Sequence, residues 1–138
     1  MRFGDRHTKY GNTPTRCRYE NQLHHSKAEA RRCDELHALE TGGEISDLKA
    51  HPQPVYRLEV NGVLVATYKG DFEYRDRDGN VVTEDVKGMR TEIYALKAKL
   101  FRAIYGREIL ETRARYSRGP SSRSPVEFVN SKLEEDDL

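Results

Sequence analysis

Tyr68-Lys-Gly-Asp71-Phe-Glu-Tyr74, then Asp78-Gly79-Asn80, then Val81-Val-Thr-Glu84-Asp85-Val86-Lys87-Gly88: these three pieces decide how the chain folds. The last alternates around Val82 and Val86, the pattern of a half-buried strand. Asp-Gly-Asn is hairpin-turn chemistry, because Gly and Asn tolerate the positive φ of a tight reversal. Side chains of a strand alternate faces, so Asp85 and Lys87 share one. On the partner strand Tyr68, Phe72 and Tyr74 are expected on one face, which sends Asp71 to the other. The expectation is that Asp71, Asp85 and Lys87 converge on one side of a hairpin. Two carboxylates and an ammonium there suit a hard cation such as Mg²⁺, which prefers oxygen ligands.

The 138 residues suffice for one domain with a modest core. Charged residues make up 34% but the net charge is only +1, so bulk charge does not point to nucleic acid. The charge is unevenly placed, however. Arg2, Arg6, Lys9, Arg16 and Arg18 face only Asp5 in the first 18 residues. Arg113, Arg115, Arg118 and Arg123 have no acid among them, and the chain closes on Glu-Glu-Asp-Asp-Leu. Basic arms around a balanced centre suit contact with DNA phosphates, although solvated tails share this composition. No apolar run approaches the ~20 residues of a membrane span, and the N-terminus has no signal-peptide core, so a cytoplasmic protein without membrane partners is expected. Cys17 and Cys33 make no disulfide framework in such a setting.

Residues 1–16 form a basic, Gly/Pro-punctuated arm. From 17 to 112 the composition is that of a folded core. Ser26 opens a helix running to about Glu40, and Gly42-Gly43 stops it. On that helix Ala28, Glu29, Arg32, Cys33, Leu36 and Leu39 fall on one broad face. Glu29 therefore looks inward, either as the partner of Ser26 in a capping box or as a further carboxylate of the cation site. Asn61-Gly62 is a hairpin signal, and the spacing predicts a three-strand meander over 55–60, 63–75 and 81–87. A second helix spans Thr91 to Tyr105, with Ile93, Leu96, Leu100 and Ile104 as its packing stripe. Lys97, just off that stripe, either snorkels or reaches toward the carboxylates. Arg107 to Glu111 adds a last strand. Residues 113–138 read as a basic-then-acidic tail without regular structure.

Asp71, thirteen residues, then Asp85-Val86-Lys87 resembles the D…(D/E)xK signature of the PD-(D/E)xK nuclease superfamily. Further strings recur at similar places in one family of small phage and prophage proteins assigned to that superfamily. They include Lys9-Tyr10-Gly11-Asn12, Ser26-Lys27-x-Glu29-Ala30, Gly43-Glu44-Ile45-x-Asp47-Leu48 and Gln53-Pro54. Tyr68-x-x-Asp71-Phe72-x-Tyr74, Glu84-Asp85-Val86-Lys87-Gly88 and Leu96-Lys97-x-Lys99-Leu100 complete the set. The resemblance covers residues 9–111, with Gly70 standing where the signature often has proline. It implies an α/β fold ordered helix, three-strand meander, helix, strand, with a mixed sheet flanked by helices. It also implies Mg²⁺- or Mn²⁺-dependent phosphodiester hydrolysis, usually of DNA.

By matching motif positions, Glu29, Asp71, Asp85 and Lys87 take the catalytic roles, with Gln53 and Lys97 as auxiliaries. Asp71, Asp85 and the Val86 carbonyl would hold the ion, and Glu29 would complete its shell, anchor a water or bind a second ion. Lys87 would neutralise developing charge and orient the attacking water. Glu84 belongs to the opposite face by strand parity and is not expected as a ligand. An endonuclease acting on branched DNA such as four-way (Holliday) junctions, in phage recombination or processing in the host cytoplasm, would call for a homodimer. The alternative is a non-catalytic module binding nucleic acid or a phage partner. Cys17, His24, His25, Cys33 and His37 are possible zinc ligands, but their spacings match no paired-knuckle pattern.

Overall fold

A computed structural model describes residues 13–116 and 125–130. A short ribbon, β1 (Thr15–Arg16) and β2 (Leu23–His24), leads into α1 (Lys27–Thr41). Then follow β3 (Ser46–Lys49), β4 (Val55–Val60), β5 (Val63–Lys69), β6 (Phe72–Arg75) and β7 (Val81–Val86). Helix α2 (Glu92–Tyr105), β8 (Leu110–Tyr116) and β9 (Pro125–Asn130) complete the chain. The main sheet runs β3-β6-β7-β8-β9 and is mixed: β7 and β8 pair in parallel, the rest antiparallel. The architecture is therefore α/β, a mixed sheet with two helices.

Both helices are bounded as their sequences require. Ser26 caps α1 by accepting the Glu29 amide, and Thr91 caps α2 by accepting that of Tyr94. Gly106 ends α2 at φ 71°, a left-handed conformation that glycine adopts without the penalty of a Cβ.

The expected three-strand meander is split in two. Strands β4 and β5 form a separate two-stranded sheet, and the chain changes sheets at Gly70-Asp71. Gly70 donates its amide to the Pro54 carbonyl at 3.0 Å, closing the hairpin, and Asp71 at once donates to Glu84 O in the main sheet. This break moves Tyr68 to the face opposite the one strict alternation gave it. Phe72 and Tyr74 face α1 in a core with Cys33 and Leu36, whereas Tyr68 packs with Tyr56, Leu58, Tyr94 and Phe101 beneath α2. The main sheet thus has α1 on one face, and on the other the hairpin with α2. Leu36, Leu58, Phe72 and Phe101 are fully buried, each contributing about 1.5–3 kcal/mol.

The packing face of α2 also differs from the expected stripe. Ile93 and Leu96 are 70% and 60% exposed, while Tyr94 and Phe101 are buried, flanked by Ala98, Leu100 and Ile104. Aromatic rings bury more area than the aliphatic residues beside them, and the hairpin offers Tyr56 and Tyr68 to meet them. The last strand runs to Tyr116 rather than stopping at Glu111, and part of the expected unstructured tail is strand β9, paired with β8. Leu110, Thr112 and Ala114 alternate with Glu111, Arg113 and Arg115, a period-two pattern that the run of arginines obscures.

Candidate functional site

Strand β7 presents Thr83 and Asp85 to the hairpin side and Glu84 to the α1 side. On the α1 side Glu84 is fully buried in a closed network. Arg32 reaches it through Nε at 2.6 Å and Nη2 at 2.9 Å, with Tyr74 Oη and Thr112 Oγ1 as further donors. Its oxygens are committed to the fold, as a buried carboxylate requires.

On the hairpin side Asp85 stands at the end of β7, only 5% exposed. Its Oδ2 accepts from Tyr68 Oη at 2.5 Å, and its Oδ1 pairs with Lys87 Nζ at 3.0 Å. The ammonium also lies 3.7 Å from the centre of the Tyr94 ring, a cation–π contact that fixes it from the α2 side. Asp71, at the start of β6, accepts the Val86 amide on Oδ2 at 2.8 Å and Gln53 Nε2 on Oδ1 at 3.2 Å. Burial, then the charge of Asp85, then that of Glu29 push the Asp71 carboxyl well above its ordinary range; the Val86 amide opposes them.

Glu29, 8% exposed in the first turn of α1, has its amide capped by Ser26, but its carboxylate completes no capping box. It bonds His24 Nδ1 at 3.1 Å, while its charge reaches Asp71. The structure therefore brings Asp71, Asp85, Lys87 and Gln53 together, with Glu29 at their margin. Lys97 is half-buried on α2, and among the described residues no polar contact joins it to the aspartates. Of the basic arm, Arg16 and Arg18 are exposed, Arg16 donating to the Asn21 carbonyl at 2.8 Å. Arg2, Arg6 and Lys9 lie outside the described residues. Beside Gln53 opens a concavity of about 540 Å³ lined by Gln22, His51, Pro52, Val55 and Lys69.

Sequence reasoning missed Glu111, Tyr94 and the role of Tyr68. Glu111 is 3% exposed, sits opposite Asp85 in the parallel register of β7 and β8, and pairs with Arg90 at 3.8 Å. Burial, then the charges of Asp85 and Glu111, raise the Tyr94 phenol above its ordinary range. The signal for Glu111 was its alternation parity within β8; no residue pattern sets the register against β7.

Chemically, this is a cluster of hard oxygen donors with an adjacent ammonium at the open end of a strand pair. Such a set can hold a divalent cation and stabilise negative charge beside it. No helix of the described residues is long and apolar enough to cross a membrane. Comparison with curated proteins and with solved structures gives no match. A family model described as "Protein of unknown function (DUF1064)" matches residues 7–117, and the chain belongs to that family.

Proposed function

We propose that the chain is a Mg²⁺-dependent endodeoxyribonuclease of the PD-(D/E)xK type. The observation that carries this reading is the ion pair of Lys87 Nζ with Asp85 Oδ1 at 3.0 Å, beside an Asp71 carboxyl pushed well above its ordinary range by burial and then by the charges of Asp85 and Glu29. Carboxylates that repel one another in a buried site are an unfilled demand for positive charge, and a cation meets it. The donor set is all oxygen, which fits Mg²⁺ or Mn²⁺.

Asp71, Asp85 and the Val86 carbonyl would hold the ion, with Glu29 at its margin. When bound, a divalent cation supplies Lewis-acid stabilisation of charge on the phosphoryl oxygens and makes a water more acidic. The chain's own residues do the rest. Gln53 and the Val86 amide fix Asp71; Tyr68 fixes Asp85. Lys87, held between Asp85 and the Tyr94 face, keeps its ammonium where it can orient an attacking water and neutralise charge developing on the scissile phosphate. The exposed Lys69, Arg16 and Arg18 offer phosphate contacts. Branched DNA in phage recombination or processing is the substrate class we favour, cut by a homodimer at two-fold-related strands.

The test is cleavage of linear, single-stranded, flapped and four-way DNA with Mg²⁺ or Mn²⁺, run beside Asp85→Asn. Cutting by the wild type alone supports the reading. Absence of cutting on every form, with Asp85→Asn binding DNA unchanged, would leave the non-catalytic binding module in its place.

A further inference from the structure

A second group of ligand-bearing side chains, distinct from the aspartates, lies beside Glu29, whose carboxylate bonds His24. One ligand atom from each of Cys17, His24, Cys33 and His51 lies within 4.8 Å of all the others. We propose that these four residues form a tetrahedral Zn²⁺ site that clamps the N-terminal ribbon to α1 and to the loop before β4.

The distances fit such an ion. His51 Nε2 is 3.8 Å from Cys17 Sγ and 3.7 Å from Cys33 Sγ. Bonds of ~2.3 Å to sulfur and ~2.0–2.1 Å to nitrogen, placed tetrahedrally, give a sulfur–nitrogen edge of about 3.6 Å. His24 supplies an independent observation. It is 4% exposed, and its Nε2 is buried with no hydrogen-bond partner of normal geometry among the described residues. Its other nitrogen, Nδ1, is held by Glu29 Oε1 at 3.1 Å. A carboxylate that accepts from Nδ1–H leaves the Nε2 lone pair bare, the arrangement in which a metal-bound histidine is oriented by a carboxylate behind it. Two thiolates would balance the charge of the dication, and soft sulfur donors separate this site from the all-oxygen aspartate cluster.

The ligands come from four places: Cys17 just after β1, His24 in β2, Cys33 in α1, and His51 after β3. His25 is exposed, and His37 is engaged elsewhere, with the Cys33 carbonyl at 2.8 Å and with Glu20. A ribbon of two residue pairs has little stability of its own, so a metal bridge to α1 gives it an anchor.

Full-length protein, purified under reducing conditions without chelator, should carry about one zinc per chain by elemental analysis. Replacement by Co²⁺ should give intense tetrahedral d–d bands and thiolate-to-cobalt charge transfer. His51→Ala and Cys33→Ser should lose the metal, and Asp85→Asn should keep it, which separates this proposal from the fate of the nuclease reading. Zinc far below one equivalent, a weak octahedral Co²⁺ spectrum in the wild type, or a Cys17–Cys33 disulfide in that reduced preparation would each overturn it. The wild-type Co²⁺ spectrum decides the matter even where a variant fails to fold.

Discussion

Tyr68 and Asp85 belong to different sheets, yet the Tyr68 hydroxyl donates to Asp85 Oδ2 at 2.5 Å. Burial and the Asp85 charge keep this phenol protonated far above its ordinary range, so it acts only as a donor. Tyr68→Phe should leave the fold intact but cost about 1.5–3 kcal/mol, the worth of a hydrogen bond to a charged group. Loss of that donor frees Asp85 to rotate, and DNA cleavage should fall about tenfold or more. Urea denaturation and single-turnover cleavage on the same preparation measure the two effects.

Lys87→Ala should retain cation and DNA binding while cleavage drops by about 10²–10³, because the ammonium acts on charge that develops during reaction. Asp85→Asn should lose cation affinity as well, since it removes a charged ligand. Glu29→Gln keeps the Ser26 cap and an acceptor for His24, so thermal stability should hold while activity falls. Calorimetric titration with Mg²⁺ beside the cleavage assay separates these outcomes; equal loss of binding in Lys87→Ala would sink the role given to the lysine.

Placing at position 70 the proline often found there in the signature this chain resembles should harm it. Gly70 gives its amide to the Pro54 carbonyl, and a Cβ there would stand 3.3 Å from Thr83 Cγ2. Gly70→Pro removes the bond that closes the β4–β5 hairpin and adds a ring in a tight place, a cost of about 2–3 kcal/mol. A melting temperature equal to that of the wild type would contradict this account.

Asp71 makes stability depend on pH. Its folded-state carboxyl holds a proton that the unfolded chain releases near the ordinary value of 3.8. Between that value and the raised one the folded state binds more protons, so the metal-free chain loses stability as pH rises. Asp71→Asn should flatten this trend and raise the melting temperature at neutral pH by about 2–5 °C, while abolishing cleavage. Mg²⁺ should stabilise the wild type more at about pH 8 than at about pH 5, because proton and ion compete for one group. Melting curves across this range, with and without Mg²⁺, test both trends.

A chain ending at Tyr116 should be less stable than the full chain by at least about 5 °C in melting temperature. The truncation removes β9, which pairs with β8 from Thr112 to Tyr116, and lays bare a sheet edge that invites association. Light scattering beside circular dichroism would register both effects.

Much of the candidate site was legible because one rule, the alternation of side chains along a strand, acts locally. It placed Asp85 with Lys87 on one face and Glu84 on the other, and Ser26, Thr91 and Gly106 marked helix ends by equally local chemistry. What escaped depends on distant partners. The change of sheet at Gly70 inverts the parity of Tyr68 relative to Phe72, and no residue pattern announces it. Glu111 reaches Asp85 through a parallel register set by the crossover through α2. The stripe on α2 went to Tyr94 and Phe101 because the hairpin supplies aromatic partners that helical periodicity alone does not reveal.

The passage from Tyr68 to Asp71 has a consequence for how this family can vary in length. At Asn61-Gly62 the hairpin tip is exposed, so insertions there would lengthen a projection and leave every donor to the aspartates in place. Across residues 68–71 the same event would be ruinous. One residue gained or lost would turn either the phenol of Tyr68 away from Asp85 or Asp71 away from the Val86 amide. Relatives should therefore differ freely at the tip and keep a fixed count of residues between tyrosine and aspartate.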